Sequence, residues 1–228
     1  MLKNKLSINV KTKLRLLSGG LAALGIFLIL FTVYPIIDYE YASRKRFPRL
    51  VSPLGEQGRS AIYSKPLGNY KNLSNWSSEY KIVPLTEGGI EKYFLSIPVL
   101  RIKDAEVYVG GEDLSKSLIQ YPGTARPGQY GNTVIFGHSV LPVFFNPKNY
   151  MSIFSTIPKL KNGDEIFVNI KDVLYKYKIS EMFEVEPDSL DILDQKLNDS
   201  YLTLVTCVPP GHPLKPRRLV VRARLTEI

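Results

Sequence analysis

Cysteine is almost absent: Cys207 is the only one in 228 residues, so no internal disulfide can form. Histidine is nearly as scarce, with only His138 and His212. No grouping of His, Cys and carboxylate has metal-ligand spacing, so no metal site is expected and nothing in the sequence calls for a cofactor. Internal repeats and low-complexity blocks are also missing, which excludes solenoids and compositional linkers over most of the chain.

Charge is missing from one long stretch. Leu16 to Ile37 reads LLSGGLAALGIFLILFTVYPII without a charged residue, enough helix to cross a hydrocarbon core of about 30 Å. No small-x-small cleavage site follows at Tyr34 to Asp38, so the segment reads as a retained transmembrane anchor rather than a cleaved signal peptide. The formal net charge of +9 sits beside it: Lys3, Lys5, Lys11, Lys13 and Arg15 precede the run, and Arg44, Lys45, Arg46 and Arg49 follow it. Residues 50–228 hold 21 basic and 19 acidic residues. A near-neutral folded part argues against a nucleic-acid partner. The organisation expected is a basic cytoplasmic tail over 1–15, an anchor over 16–37, an extracytoplasmic spacer over 38–80 and a catalytic domain over 81–228. The protein is then a single-pass membrane protein, with its domain outside the cytoplasm.

Pro48, Pro53 and Pro66 interrupt the spacer, although Tyr70, Trp76 and Tyr80 are aromatic residues that true linkers seldom carry. From Tyr93 short β-like runs dominate: YFLSIPVL, RIKDAEVYV, TVIFGHS, EIFVNI, VLYKYKI, MFEVE, YLTLVT and RLVVRARL. Residues 151–160 read as a short helix, 189–196 as one more helical turn, and Lys171–Asp172 as a hairpin turn. About eight short strands in a small domain must bury their apolar faces on one another, as a barrel or a sandwich.

Cys207 closes the β-forming run YLTLVT and is followed by Pro209, Pro210 and Gly211, a strand end beside a loop. A lone cysteine is often a small buried hydrophobe; as a nucleophile it needs a cation or imidazole to favour its thiolate. His138 follows TVIFG and also ends a strand, so it is the candidate base; His212, five residues beyond the cysteine in a Pro-rich loop, is the alternative. Arg217 and Arg218 open the last strand. Alternation groups Arg217 with Leu219, Val221 and Ala223 on the core face, which leaves Arg218 on the outer face, where a substrate could lie. Arg218 is therefore preferred, and Arg217 remains the alternative.

GNTVIFGHS at 131–139, TLVTC at 203–207 and an arginine entering a final apolar strand resemble the three sortase motifs, in sortase order. LSIPVLRIKDAEVYVGGE and QYPGTARPGQYGN are similar to the strands that open that domain and to its approach to the histidine. The resemblance covers about 93–228. It implies an all-β fold, an eight-stranded barrel with short helices, preceded here by one N-terminal transmembrane helix. It also implies a cysteine transpeptidase acting on secreted proteins that bear a sorting signal similar to Leu-Pro-x-Thr-Gly. In that scheme Cys207 forms a thioacyl enzyme, His138 moves protons, Arg218 steadies the oxyanion, and an amine such as one on a peptidoglycan precursor resolves the intermediate. The VPPGHPLKP loop looks nearest to class D or E types. Two other readings compete: a pilin-polymerising sortase, which the lack of an Asp-Pro dipeptide and of a second membrane helix disfavours, and a non-catalytic, membrane-tethered β-barrel binding module.

Overall fold

The computed structural model describes residues 10–50, 71–73 and 92–227. Helix α1 (Val10–Arg46) is 37 residues long, about 55 Å at the α-helical rise. Its apolar side chains are exposed on every face, as at Leu21 (62 %), Phe27 (61 %) and Leu30 (61 %). By length and composition α1 is apolar enough to cross a membrane.

The helix does not stop with the apolar run. Residues 38–46, expected to open the spacer, extend it, because DYEYASRKR contains no helix breaker and ends on Arg44, Lys45 and Arg46, which suit the negative end of the helix dipole. This extension lies on the folded domain: Tyr39, Ser43 and Phe47 are buried, and Arg46 Nη2 donates to the Leu160 carbonyl at 3.0 Å. Residues 1–9, the rest of the expected spacer apart from 47–50 and 71–73, and the expected domain start at 81 lie outside the described residues.

Nine strands follow among the described residues: β1 (Arg49–Leu50), β2 (Lys92–Ile97), β3 (Ile102–Val109), β4 (Leu118–Gln120), β5 (Gly131–Phe136), β6 (Glu165–Ile170), β7 (Val173–Val185), β8 (Ser200–Val208) and β9 (Arg217–Glu227). Hydrogen bonding runs β7-β6-β2-β3-β4-β5-β8-β9, and β9 pairs back onto β7, closing an eight-stranded barrel. β1 adds parallel to the far end of β7, Arg49 opposite Glu184. The barrel is the expected one; several elements differ. VLYKYKI and MFEVE form one 13-residue strand, β7, carried through SE by a register shift against β9 between Ile179 and Glu181, which bends the strand around the closing barrel. Residues 151–160 make turns and one 3₁₀ turn at Ile157–Lys159 instead of a helix, since Pro158 denies the backbone a donor. Lys171 and Asp172 both have positive φ, 47° and 68°, the signature of a two-residue type I′ hairpin turn.

Alternation sorts the buried side chains into two layers. Leu202, Leu204, Leu219, Val221 and Ala223 fill the barrel interior with residues from β2, β3, β6 and β7. Val134, Phe136, Val205, Cys207 and Val220 form a second cluster on the outer face of β5, β8 and β9, covered by Leu73, Leu114 and Ile192. Leu73 is held there by paired backbone bonds, Leu73 N–H to the Glu112 carbonyl (2.9 Å) and Leu114 N–H to the Lys71 carbonyl (2.8 Å).

Arg217 joins the helix to the barrel. It reaches Glu40 of α1 at 2.5 Å and Glu184 of β7 at 2.6 Å, and Tyr39 Oη donates to Glu184 at 2.7 Å. Glu184 is 1 % exposed, so its carboxylate depends on these partners. Removing one side of such a pair strands the other charge. Arg217→Met is therefore expected to cost about 3 kcal/mol in urea unfolding, and Arg217→Met with Glu184→Met to recover most of that loss.

Candidate active site

The site is set by strand register. β5 and β8 run parallel with Phe136 beside Val205, and the ladder continues through Gly137 N–H to the Val205 carbonyl (3.1 Å). Two residues further along each chain, His138 has just left β5 while Cys207 is still within β8, one residue from its end. Phe136 and Val205 both lie in the outer cluster, so the period of two returns His138 and Cys207 to that same face. On the other flank β8 and β9 are antiparallel, and Cys207 is paired directly with Arg218; side chains so opposed have Cβ atoms about 5 Å apart. The three expected site residues thus stand at one end of the barrel, His138 just past β5, Cys207 on β8 and Arg218 on β9.

Glycine at 137 is required by close packing: a Cβ there would fall 2.2 Å from the Phe154 ring. Phe154 N–H in turn donates to the His138 carbonyl (3.1 Å). Ser139 Oγ donates to the Cys207 carbonyl (2.7 Å), and Thr206 Oγ1 to the Gly137 carbonyl (2.9 Å), so the two strand ends are tied beyond the last ladder bond. The Arg218 guanidinium is fixed by Nη1 donating to the carbonyls of Lys215 (3.0 Å) and Arg217 (3.2 Å).

The Sortase domain family matches residues 90–226, more than half of the chain. The chain belongs to the sortase family. Among curated relatives, Sortase A of Streptococcus agalactiae serotype III (strain NEM316) is 30% identical over 100 residues, 44% of this chain and 38% of the relative. Sortase A of Bacillus anthracis is 29% identical over 117 residues, 50% of each chain. The chain therefore spans half or less of the length of the curated relatives it matches. Among solved structures, a Clostridium perfringens Sortase D5 transpeptidase superposes with a TM-score of 0.52 at 26% identity, over 63% of this chain and 83% of that one. Sortase C1 of Streptococcus suis gives 0.52 at 27%, over 60% and 74%.

In this sortase barrel the outer-face placement of Arg218 follows the alternation expected, with Arg217 on the inner face opposite Val208. All three site residues are nonetheless covered: exposure is 0 % at Cys207, 4 % at His138 and 1 % at Arg218. His212 stands apart, its Nδ1 accepting from Leu214 N–H within its own loop (3.2 Å), with Glu40 and Arg217 as its electrostatic neighbours. Among the described residues no cluster of His, Cys, Asp and Glu is fit to hold a metal ion.

Two lysines escaped the sequence reading. Lys215 Nζ lies 3.5 Å from His138 Nδ1, and burial holds the Lys215 amine below its ordinary range, with Arg218 pushing the same way and Cys207 opposing. Lys71, on the stretch that carries Leu73, also acts on His138. Burial first, then Lys215 and Lys71, bring the His138 imidazole from 6.5 down to about 4. Ser139 N–H donates to Nδ1 at 3.1 Å, so the hydrogen-bond network assigns the neutral ring its proton at Nε2. At neutral pH the site combines a neutral imidazole with the Lys215 amine and the Arg218 guanidinium beside one thiol. No spacing rule could have placed Lys215, because it sits in an irregular loop at φ 45°.

A lowered histidine means that the unfolded chain takes up a proton before the folded one does. Stability should therefore fall as the pH drops from about 6.5 to about 4, by up to about 3 kcal/mol at 1.36 kcal/mol per unit. His138→Gln should flatten that part of the profile in urea unfolding measured from pH 4 to 8.

Proposed function

We propose that this chain is a cysteine transpeptidase that cleaves a sorting signal similar to Leu-Pro-x-Thr-Gly and joins the new carboxyl end to an amine, with Cys207, His138 and Arg218 as its catalytic residues. The observation that carries this reading is the row formed by a strand-end histidine, a thiol and a directly paired arginine, on a barrel of a family whose members are transpeptidases.

The Cys207 sulfur attacks the scissile carbonyl while His138 takes the thiol proton. The developing oxyanion sits against Arg218, whose guanidinium is already oriented by two backbone carbonyls and needs no reorganisation. Collapse of the tetrahedral species breaks the C–N bond, and His138 passes its proton to the departing amine, leaving a thioester on Cys207. An incoming amine then gives a proton to His138 and attacks the thioester, forming the new amide and releasing the thiol. A histidine that is neutral at rest suits this cycle, because it must accept a proton first in each half. Since Cys207 is fully covered, a peptide reaches it only by displacing what lies over the outer face, including Leu73.

On this reading α1 anchors the enzyme in the cell membrane with the barrel on the extracytoplasmic side. The substrates are secreted proteins, and the acceptor is an amine such as one on a peptidoglycan precursor. A pilin-polymerising role uses the same chemistry with a lysine as acceptor. Its support is the fold shared with Sortase C1 of a Streptococcus agalactiae pilus island, 23% identical with a TM-score of 0.51.

The test is intact-mass spectrometry of the full chain in detergent, incubated with sorting-signal peptides and with candidate amines. The expected result is an acyl adduct on Cys207, absent in Cys207→Ala. Turnover should fall about 10²- to 10⁴-fold in His138→Ala and about 10²- to 10³-fold in Arg218→Ala. A folded chain that forms no adduct with any peptide would instead support the binding-module reading.

A further inference from the structure

The way α1 meets the barrel fixes which end of the domain faces the bilayer, if α1 is the membrane anchor proposed above. The last apolar residue of the run is Ile37 and the first charge is Asp38. Glu40, three residues on and about 4.5 Å further along the helix, is already bonded to Arg217, the first residue of β9. Arg217 and Arg218 lie at the end of the barrel where β8 finishes and where Val185 ends β7. Further along, α1 moves away from that end: Arg46 bonds to Leu160, and Arg46 and Phe47 line a groove with Met182 and Leu160, lower on the barrel wall. The apolar part of α1 therefore projects past the catalytic end.

Two loops crown this end, one after His138 and one between β8 and β9. They are packed together, since a Cβ on Gly211 would lie 2.5 Å from the Leu141 side chain. The second loop lies beside the exit of α1, because Arg217, the residue that follows it, is ion-paired with Glu40. Both loops present large apolar side chains to the outside: Val143 is 55 % exposed, Phe144 63 % and Leu214 51 %. None of the three takes part in the barrel core.

We propose that these loops rest on the bilayer, with Val143, Phe144 and Leu214 in the boundary between headgroups and acyl chains, so that the catalytic end of the barrel opens at the membrane surface. Apolar loop residues next to a helix that is leaving the lipid would otherwise stay in water within a few ångströms of a layer that accepts them. Exposed apolar residues at the other end of the barrel are the natural contrast. Leu197 is 74 % exposed but precedes β8, at the opposite end from Cys207. Such an orientation admits peptides and amines whose reacting groups are held close to the bilayer, and disfavours those that arrive deep in the aqueous phase.

The full chain carrying Cys207→Ala would be reconstituted in phosphatidylcholine–phosphatidylglycerol nanodiscs with a single Val143→Cys, Leu214→Cys, Leu197→Cys or Leu28→Cys substitution. Each thiol would carry an environment-sensitive fluorophore and be challenged with nitroxide lipids labelled at different depths. The expected result is shallow-lipid quenching at 143 and 214 at least about 3-fold greater than at 197, matching an insertion of about 5–10 Å. The label at 28 should be quenched by deep nitroxides. Quenching at 28 with none above the 197 level at 143 and 214 overturns the orientation alone. No quenching at 28 overturns the anchor and the orientation together. Blue-shifted emission at 143 and 214 without lipid quenching would place protein, not lipid, against the loops and would also overturn the proposal.

Discussion

The register of β8 between its two neighbours is the constraint on which the rest of the site depends. β5 beside it runs parallel and β9 antiparallel, so the carboxyl ends of β5 and β8 and the amino end of β9 converge on one edge of the barrel. A slip of one residue in either pairing would turn His138 or Arg218 toward the barrel interior and leave Cys207 facing an aliphatic neighbour. The register is protected because both faces of β8 are buried, one in the barrel core and one under Leu73, Leu114 and Ile192. Hydrogen bonds from Ser139 and Thr206 extend it past the end of the ladder.

Adjacent arginines divide the work through the same alternation. Arg217, on the inner face, is held by two carboxylates and docks α1; Arg218, on the outer face, is held by backbone carbonyls beside the thiol. The attachment of α1 and the edge of the site thus share a peptide bond. Burial gives that edge its electrostatic character. A covered imidazole with Lys215 and Lys71 nearby resists protonation and rests neutral at pH 7 beside the Lys215 and Arg218 side chains. Placing fixed cations near a thiol and a neutral base at rest separates stabilisation of negative charge from transport of protons.

Much of this was legible in the sequence, for identifiable reasons. Cys207 and His138 each end an apolar run beside turn residues, so their position at strand ends could be read directly, and alternation along RRLVVRARL separated Arg218 from Arg217. The long apolar helix was equally plain from 22 uncharged residues. Closure of the barrel was legible only through the family resemblance and not from spacing, because the β7–β9 pairing joins residues some 40 apart and leaves no local periodic mark. Three-residue β4 is too short to show alternation, and polar Ser180–Glu181 hid the continuity of β7. The extension of α1 to Arg46 was missed because it rests on tertiary contacts by Tyr39, Ser43 and Phe47, not on an apolar stripe. Lys215 was missed because its role arises from a loop fold that places it against His138.

The account rests on Cys207 being a reactive group held in a folded site and not a packed core residue, and a single cysteine makes that directly measurable. The measurement is the rate at which a small methanethiosulfonate labels the folded full chain, compared with the rate of global unfolding under the same conditions. The account predicts labelling much faster than unfolding, through local opening of the cover over the outer face, and slower labelling at neutral pH once Lys215→Met removes a nearby cation. Labelling that proceeds only at the rate of global unfolding, unchanged by Lys215→Met, would contradict it.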